Sequence, residues 1–233
     1  MKIEGSVALV TGANRGLGRA FAEALLGAGA AKVYAAARAP SAASLPGARP
    51  LKLDITRAED IALAARACPD VTLLINNAGV LQPGSFLAAG GEAAARSQLE
   101  TNFFGTLALS RAFAPVLKAN GGGALINVLS VLSWLNLPQV GAYSASKAAA
   151  WALTNGLRNE LRAQGTLVVA VHAAYIDTDM ARHVQGAKTA PGAVVQQVLA
   201  AVEAGREEVL ADEVTRKVKN GLGAERSSYL QGA

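Results

Sequence analysis

The chain has 233 residues, of which 52% are apolar and 5% aromatic, with a formal net charge of +5 and one cysteine. That length suits one α/β domain with a substantial core, and alanine- and glycine-rich filling favours helix-on-sheet layers over an aromatic-rich β-sandwich. The lone Cys68 excludes an intramolecular disulfide, the scattered cations form no basic stripe for nucleic acid, and no apolar run approaches the ~18 residues of a membrane span. The one small basic cluster is Arg216, Lys217 and Lys219, and the N-terminal segment lacks a signal-peptide pattern. A soluble cytoplasmic protein with no nucleic-acid or membrane partner is expected.

Residues 7–10 read as a buried strand, followed by a glycine turn and a helix over 16–28. Lys32–Ala37 gives a second strand, 39–50 an Ala-, Ser- and Pro-rich loop, 51–53 a short third strand and Ala58–Ala67 a helix. A fourth strand at 71–75 precedes a long helix over 92–117, with a bend expected at Pro115. The Gly121-Gly122-Gly123 turn leads into a strand at 124–129. Residues 143–163 read as another long helix, Leu167–His172 as a sixth strand, and 191–205 as a helix opened by Pro191. Residues 208–211 are a last strand, and the tail over 221–233 reads as loosely ordered or docked on a partner subunit. Near-continuous apolar strands alternating with helices predict a doubly wound α/β fold, a parallel sheet covered on both faces, in one domain over 1–233.

The segment Thr11-Gly12-Ala13-Asn14-Arg15-Gly16-Leu17-Gly18 lies between the first strand and the first helix. Glycines permit a sharp turn and close approach of a pyrophosphate, and the helix N-terminus behind them offers free N–H groups. Gly12, Asn14, Arg15, Gly16, Leu17 and Gly18 are the candidate contacts. A carboxylate about twenty residues further on would suit the hydroxyls of an unphosphorylated ribose. Arg38 stands there instead, and its guanidinium suits a 2′-phosphate, with Arg15 as a second cation. NADP(H) is therefore expected ahead of NAD(H). The other reading is a glycine turn without ligand and two exposed arginines.

Tyr143 and Lys147, in Gly141-Ala142-Tyr143-Ser144-Ala145-Ser146-Lys147, are four apart and share one face of a helix. An adjacent ammonium favours the phenolate and lowers the phenol from its ordinary value near ~10. Such spacing is common by chance, and its weight comes from Ser130 upstream and from the glycine turn.

Asn76-Asn77-Ala78-Gly79 after the fourth strand and Asn102 in the long helix complete an ordered set of motifs. Taken together, over nearly its whole length, the chain resembles the short-chain dehydrogenase/reductase family. The resemblance implies a Rossmann-type fold with a seven-stranded parallel sheet and reversible hydride transfer between a nicotinamide cofactor and a carbonyl/alcohol pair. It implies Tyr143 as general acid and base, Lys147 on the nicotinamide ribose, Ser130 on the substrate oxygen, and Asn102 ordering a water that joins Lys147 to solvent. By the same resemblance Asn77, Ala78 and Gly79 run beside the adenosine ribose, Asp54 with Ile55 meets the adenine, and Ile176 and Thr178 hold the carboxamide and phosphate side. A homodimer or homotetramer through the two long helices also follows. Asp54 reads equally as a cap for a helix beginning near Thr56.

Physical chemistry supports the same roles. Hydride addition to a carbonyl leaves negative charge on oxygen, and Ser130 and Tyr143 can donate to that oxygen as the charge develops. Leu81, Ser133, Trp134, Leu135, Leu137, Tyr175 and Met180 are candidate walls for a hydrophobic ketone, aldehyde or alcohol. Core or subunit contact is the other reading of Trp134 and Leu137. Where the family has Pro-Gly after the sixth strand, this chain has Ala173-Ala174, either a reshaped pocket or a tolerated change. His172 and His183 read as structural, and no metal-ligand cluster is evident. The leading expectation is an NADP(H)-dependent carbonyl reductase or alcohol dehydrogenase. The alternatives are a catalytically silent cofactor-binding sensor or scaffold, and an epimerase or dehydratase, for which the chain is short.

Overall fold

Alternation along seven parallel strands builds a core on each face of one sheet. β1 (Val7–Thr11), β2 (Lys32–Ala37), β3 (Arg49–Lys52), β4 (Leu73–Asn76), β5 (Ala124–Val128), β6 (Leu167–His172) and β7 (Glu208–Leu210) lie in the order β3-β2-β1-β4-β5-β6-β7. The helices are α1 (Gly16–Gly27), α2 (Ala58–Ala67), α3 (Gly91–Leu99), α4 (Thr106–Ala119), α5 (Gly141–Leu161), α6 (Pro191–Glu203) and α7 (Glu213–Asn220). The computed structural model describes residues 1–39 and 45–230, so part of the loop expected over 39–50 and the end of the tail lie outside them.

Successive strand residues face opposite sides. Ala8, Val10, Leu73, Ile75 and Ile126 enter one core with Phe21 and Leu25 of α1 and Val194 and Val198 of α6. Leu9, Leu74 and Leu125 enter the other, with Leu109, Phe113 and Leu117 of α4 and Leu157 of α5. Each Val, Leu, Ile or Phe side chain among them, fully withdrawn from water, contributes roughly 1.5–3 kcal/mol before chain entropy is counted. Parallel pairing demands crossovers, and the helices between strands supply them.

The structure departs from the sequence-based expectation in four places. β3 begins earlier, because Arg49 and Pro50 pair beside Tyr34 and Ala35 at the sheet edge, where the missing proline N–H is tolerated. The long helix is not continuous: α3 passes into a π-helical segment, Glu100–Gly105, before α4. The irregularity lies there and not at Pro115, which sits within α4. Gly105 shows why the segment needs a small residue, since a Cβ would stand 2.9 Å from both the side chain and the carbonyl of Ile55. α7 has no counterpart in the expected elements; it is short, and Asp212 caps it by accepting the Thr215 N–H at 2.8 Å. Residues 221–230 turn back onto α7, with the Ser228 hydroxyl donating to the Val218 carbonyl at 3.2 Å. Among the described residues, no helix is long and apolar enough to cross a membrane.

A buried polar chain sets the spacing between sheet and helices. Asn76 donates to Asn127 Oδ1 at 2.8 Å and to the Ser110 hydroxyl at 3.0 Å. Asn127 donates to Thr154 Oγ1 at 2.9 Å, and that hydroxyl donates to the Ala150 carbonyl at 2.7 Å. β4, β5, α4 and α5 are thereby cross-tied where apolar packing alone would allow sliding.

The entry to β5 gives a direct check. A Cβ on Gly123 (φ +62) would lie 2.0 Å from the Thr72 carbonyl oxygen, whereas one on Gly121 (φ +87) meets open space. Gly123→Ala is expected to lower unfolding free energy in urea by at least about 3 kcal/mol, and Gly121→Ala by about 1 kcal/mol. Equal losses at the two positions would show that backbone crowding does not govern this turn.

Candidate active site

The strand order reverses between β1 and β4, and a cleft of about 1040 Å³ opens beyond the C-terminal ends of the strands. One end is the glycine turn. A Cβ on Gly18 would lie 2.3 Å from the Gly12 carbonyl oxygen and 2.5 Å from Asn77 Nδ2. The hydroxyl of Thr11 accepts the N–H groups of Asn77 and Ala78, each at 2.9 Å, and donates to the Ile75 carbonyl at 3.2 Å. Asn77 Nδ2 donates to the Thr11 carbonyl at 2.8 Å. The turn and the segment through Gly79 thus form one floor.

Every residue expected to contact a cofactor, from Gly12 to Thr178, lines this cleft. Arg38 stands exposed at the end of β2. Arg15 pairs with Asp179 at 3.4 Å across the cleft mouth, and both side chains are largely in solvent, so the pair adds little stability. Asp54 Oδ1 accepts the N–H of Thr56 at 3.0 Å and its hydroxyl at 2.7 Å. Burial raises the Asp54 carboxyl, but the Thr56 bonds, with Arg38 and Arg57 nearby, hold it below its ordinary value. Asp54 thus closes a local turn at Thr56 and lines the cleft, but it does not cap the next helix as expected, because α2 begins at Ala58 with Arg57 at its N-cap.

At the other end, α5 presents Tyr143 and Lys147 side by side, both buried. Ser130 caps the short turn Val131–Ser133: its hydroxyl accepts the Leu132 N–H at 3.1 Å, and the Ser133 hydroxyl accepts the Ser130 N–H at 3.4 Å. Lys147 Nζ donates to the Val128 carbonyl at 2.8 Å and lies 5.7 Å from the Tyr143 ring centre. Burial pushes the Tyr143 phenol up to about 12, with Ser130 acting in the opposite sense. Burial also draws the Lys147 ammonium down to about 8. This corrects the expectation from spacing that the ammonium lowers the phenol: loss of solvent sets the direction of the shift, and Lys147 Nζ is directed at the Val128 carbonyl.

Three expected site residues lie off the cleft wall. Asn102 holds Val80 by both backbone groups, N–H to Oδ1 at 2.9 Å and Nδ2 to O at 2.9 Å, and donates to Ser146 Oγ at 2.9 Å. Ser146 in turn donates to the Tyr143 carbonyl at 2.7 Å. Ser133 is the capping partner of Ser130, and Trp134 is buried against His172, with ring centres 3.9 Å apart. Of the other expected walls, Leu81, Leu135, Leu137, Tyr175 and Met180 do line the cleft, as do Ala173 and Ala174. Ala174 N–H donates to Asp212 Oδ2 at 2.7 Å, so the carboxylate that caps α7 also holds this backbone. Val214 and Val218 of α7 complete the wall. Their spacing on a short amphipathic helix was the only signal for them in the sequence.

Behind Ser130, His172 is fully buried, its Nδ1 3.1 Å from the Ser130 carbonyl oxygen. Burial lowers the imidazole to about 4; the Ser130 carbonyl and Glu208 oppose this, and Lys219 and Lys147 reinforce it. Cys68 is buried away from the cleft, its thiol pushed up to about 11 mainly by burial. Among the described residues, no cluster of His, Cys, Asp and Glu could hold a metal ion.

The family model described as short chain dehydrogenase matches residues 6–189. The 3-oxoacyl-[acyl-carrier-protein] reductase FabG of Vibrio cholerae is 33% identical over 192 residues, covering 78% of each chain. The reductase of the same name from Salmonella typhimurium is 30% identical, covering 100% of this chain and 95% of the relative. Among solved structures, a short chain dehydrogenase from Burkholderia cenocepacia, crystallised in complex with NADP, is 47% identical. The alignment covers 97% of this chain and 96% of that one, with a TM-score of 0.93.

The buried imidazole predicts an acid limit to stability. Its folded value of about 4 lies below the ordinary imidazole value of 6.5, so as pH falls the unfolded chain takes up the proton first. Stability present above 6.5 is lost progressively toward 4. Urea unfolding across this window is expected to show wild type losing about 1–3 kcal/mol more than His172→Asn, which lacks a titrating ring. Parallel losses in the two proteins would count against a buried neutral imidazole.

Proposed function

The chain belongs to the short-chain dehydrogenase family, and from that premise we propose that residues 1–233 form one NADP(H)-dependent oxidoreductase domain acting on a hydrophobic carbonyl/alcohol pair. The observation that carries this reading is the meeting of Ser130, Tyr143 and Lys147 on one wall of a cleft whose far end is the glycine turn and Arg38.

The residues fit a phosphorylated dinucleotide. A side chain on Gly18 would collide with the turn itself, and the backbone from Gly12 to Gly18 presents a floor open to a pyrophosphate. Arg38 would hold a 2′-phosphate, Lys147 the nicotinamide ribose, and Ile176 and Thr178 the carboxamide side. When bound, the cofactor supplies or receives the hydride.

The chain's own side chains do the remaining work. Ser130 and Tyr143 donate to the carbonyl oxygen, and these bonds strengthen as negative charge builds there. A phenol held near 12 is fully protonated at neutral pH, so Tyr143 begins reduction as the acid. The phenolate left behind is stabilised by the Lys147 ammonium. In oxidation Tyr143 takes up the alcohol proton. Leu132, Leu135, Leu137, Val140 and Val218 belong to one apolar cluster with Tyr143 and, with Val214, line the cleft, which supports a substrate with an apolar body. A 3-oxoacyl thioester, the substrate type in the names of two relatives, has that character and belongs among the compounds tested. Self-association through α4 and α5 fits the 50% exposure of Phe104 just before α4.

NADPH oxidation with a panel of hydrophobic ketones, aldehydes and 3-oxoacyl thioesters tests the reading. Tyr143→Phe is expected to lower kcat by about 10³-fold while leaving NADPH binding, followed by fluorescence, unchanged. A wild type that binds NADPH and turns over no carbonyl would instead favour a silent sensor. Arg38→Ala is expected to weaken NADPH binding by about tenfold or more, the loss of a charge-assisted bond, with little effect on NADH. Equal losses for the two cofactors would remove Arg38 from the 2′-phosphate.

A further inference from the structure

A buried aromatic cluster behind Ser130 plays no part in the chemistry just described. His172 lies 3.9 Å from Trp134, centre to centre, with the rings 22° from parallel. Trp151 meets Trp134 edge-on at 6.3 Å, and Lys219 covers it at 4.9 Å while pairing with Glu208 at 2.8 Å. The imidazole is therefore clamped in plane and cannot tilt without moving Trp134.

The Ser130 carbonyl can only accept, so His172 Nδ1 carries the proton and Nε2 is bare. Nε2 has no hydrogen-bond partner among the described residues; the nearest carboxylate oxygen, on Glu208, is 3.9 Å away. A bare buried nitrogen is destabilising, and an apolar ring would fill the same space without that penalty. What the imidazole adds is a second N–H, from a side chain of the neighbouring strand, to the Ser130 carbonyl. The ladder bonds flanking Ser130, Leu129 N–H to Val171 O at 2.8 Å and Val131 N–H to Ala173 O at 2.9 Å, leave the Ser130 carbonyl outside the sheet. It accepts the Ser133 N–H at 3.0 Å on one lone pair and His172 on the other.

We propose that His172 is a positioning residue for Ser130: its Nδ1–H fixes the plane of the Ser130 peptide and so aims the hydroxyl at the oxygen that Tyr143 protonates. This rests on the reading of Ser130 as a donor to substrate. His172 touches neither substrate nor cofactor, and it acts through the backbone of the turn it holds.

The test has two arms. The chain has two histidines, so ¹⁵N spectra of wild type and His183→Asn assign His172 directly. A neutral ring protonated at Nδ1 is expected, and one protonated at Nε2 overturns the proposal. In the kinetic arm, His172→Phe keeps the stack on Trp134 and removes the donor, whereas His172→Asn keeps an N–H near the Nδ1 position. Should the phenyl ring prevent folding, His172→Leu takes its place. His172→Phe is expected to lower kcat about tenfold, with NADPH affinity changed less than about twofold, and His172→Asn to recover most of the loss. In a Ser130→Ala background the same His172→Phe change is expected to have almost no further effect on kcat. An equal loss in both backgrounds, or no recovery with Asn, overturns the positioning role in an enzyme that is otherwise active. A wild type that reduces no carbonyl overturns the oxidoreductase reading itself, whatever the tautomer.

Discussion

The close approach of Gly18 to Gly12 is the constraint on which the rest of the site depends. The two backbones are near enough that a methyl group on Gly18 would stand 2.3 Å from a carbonyl oxygen. That contact lets α1 start directly behind the turn and directs its first N–H groups toward the cleft. The Thr11 hydroxyl extends the constraint across the strand reversal by holding Asn77 and Ala78. A floor of backbone, kept clear of side chains, results where β1 and β4 lie together.

The opposite wall depends on buried polar ties. Asn102 clamps Val80 and reaches Ser146, which bonds the carbonyl of Tyr143. Asn127 and Thr154 fix α5 against β5. Each of these groups is satisfied inside the protein, and a sliding helix would break several bonds at once. Dehydration gives this wall its electrostatic character. It keeps Tyr143 protonated and weakens the hold of Lys147 on its proton, so the pair is set by surroundings more than by mutual distance.

Much of this was legible in the residues. Glycines between an apolar strand and a helix, Arg38 at the end of β2, and Tyr143 four residues before Lys147 all belong to local patterns with fixed geometric meaning. The seven strands were legible as well, with ends displaced by a few residues. Less could be read where the signal was short or shared between distant segments. α7 is so short that the spacing of Val214 and Val218 was its only periodic signal. Glu100–Gly105 looked like ordinary helix, since the close packing of Gly105 on Ile55 joins segments far apart in the chain. Trp134 and Ser133 follow Ser130 so closely that a pocket role was natural, yet the turn at Ser130 sends both inward.

By itself, the sequence determined the layered α/β fold and the glycine turn, because these follow from periodicity and from residue types at fixed spacing, and its ordered motifs carried the resemblance to the family. Tertiary structure alone decided which side chains face the cleft, the direction in which Tyr143 and Lys147 shift, and the placing of His172 behind Ser130. The physical reason is that burial and through-space contact depend on segments far apart in the chain: Ser130 and His172 are 42 residues apart, and only the pairing of β5 with β6 brings them within hydrogen-bond reach.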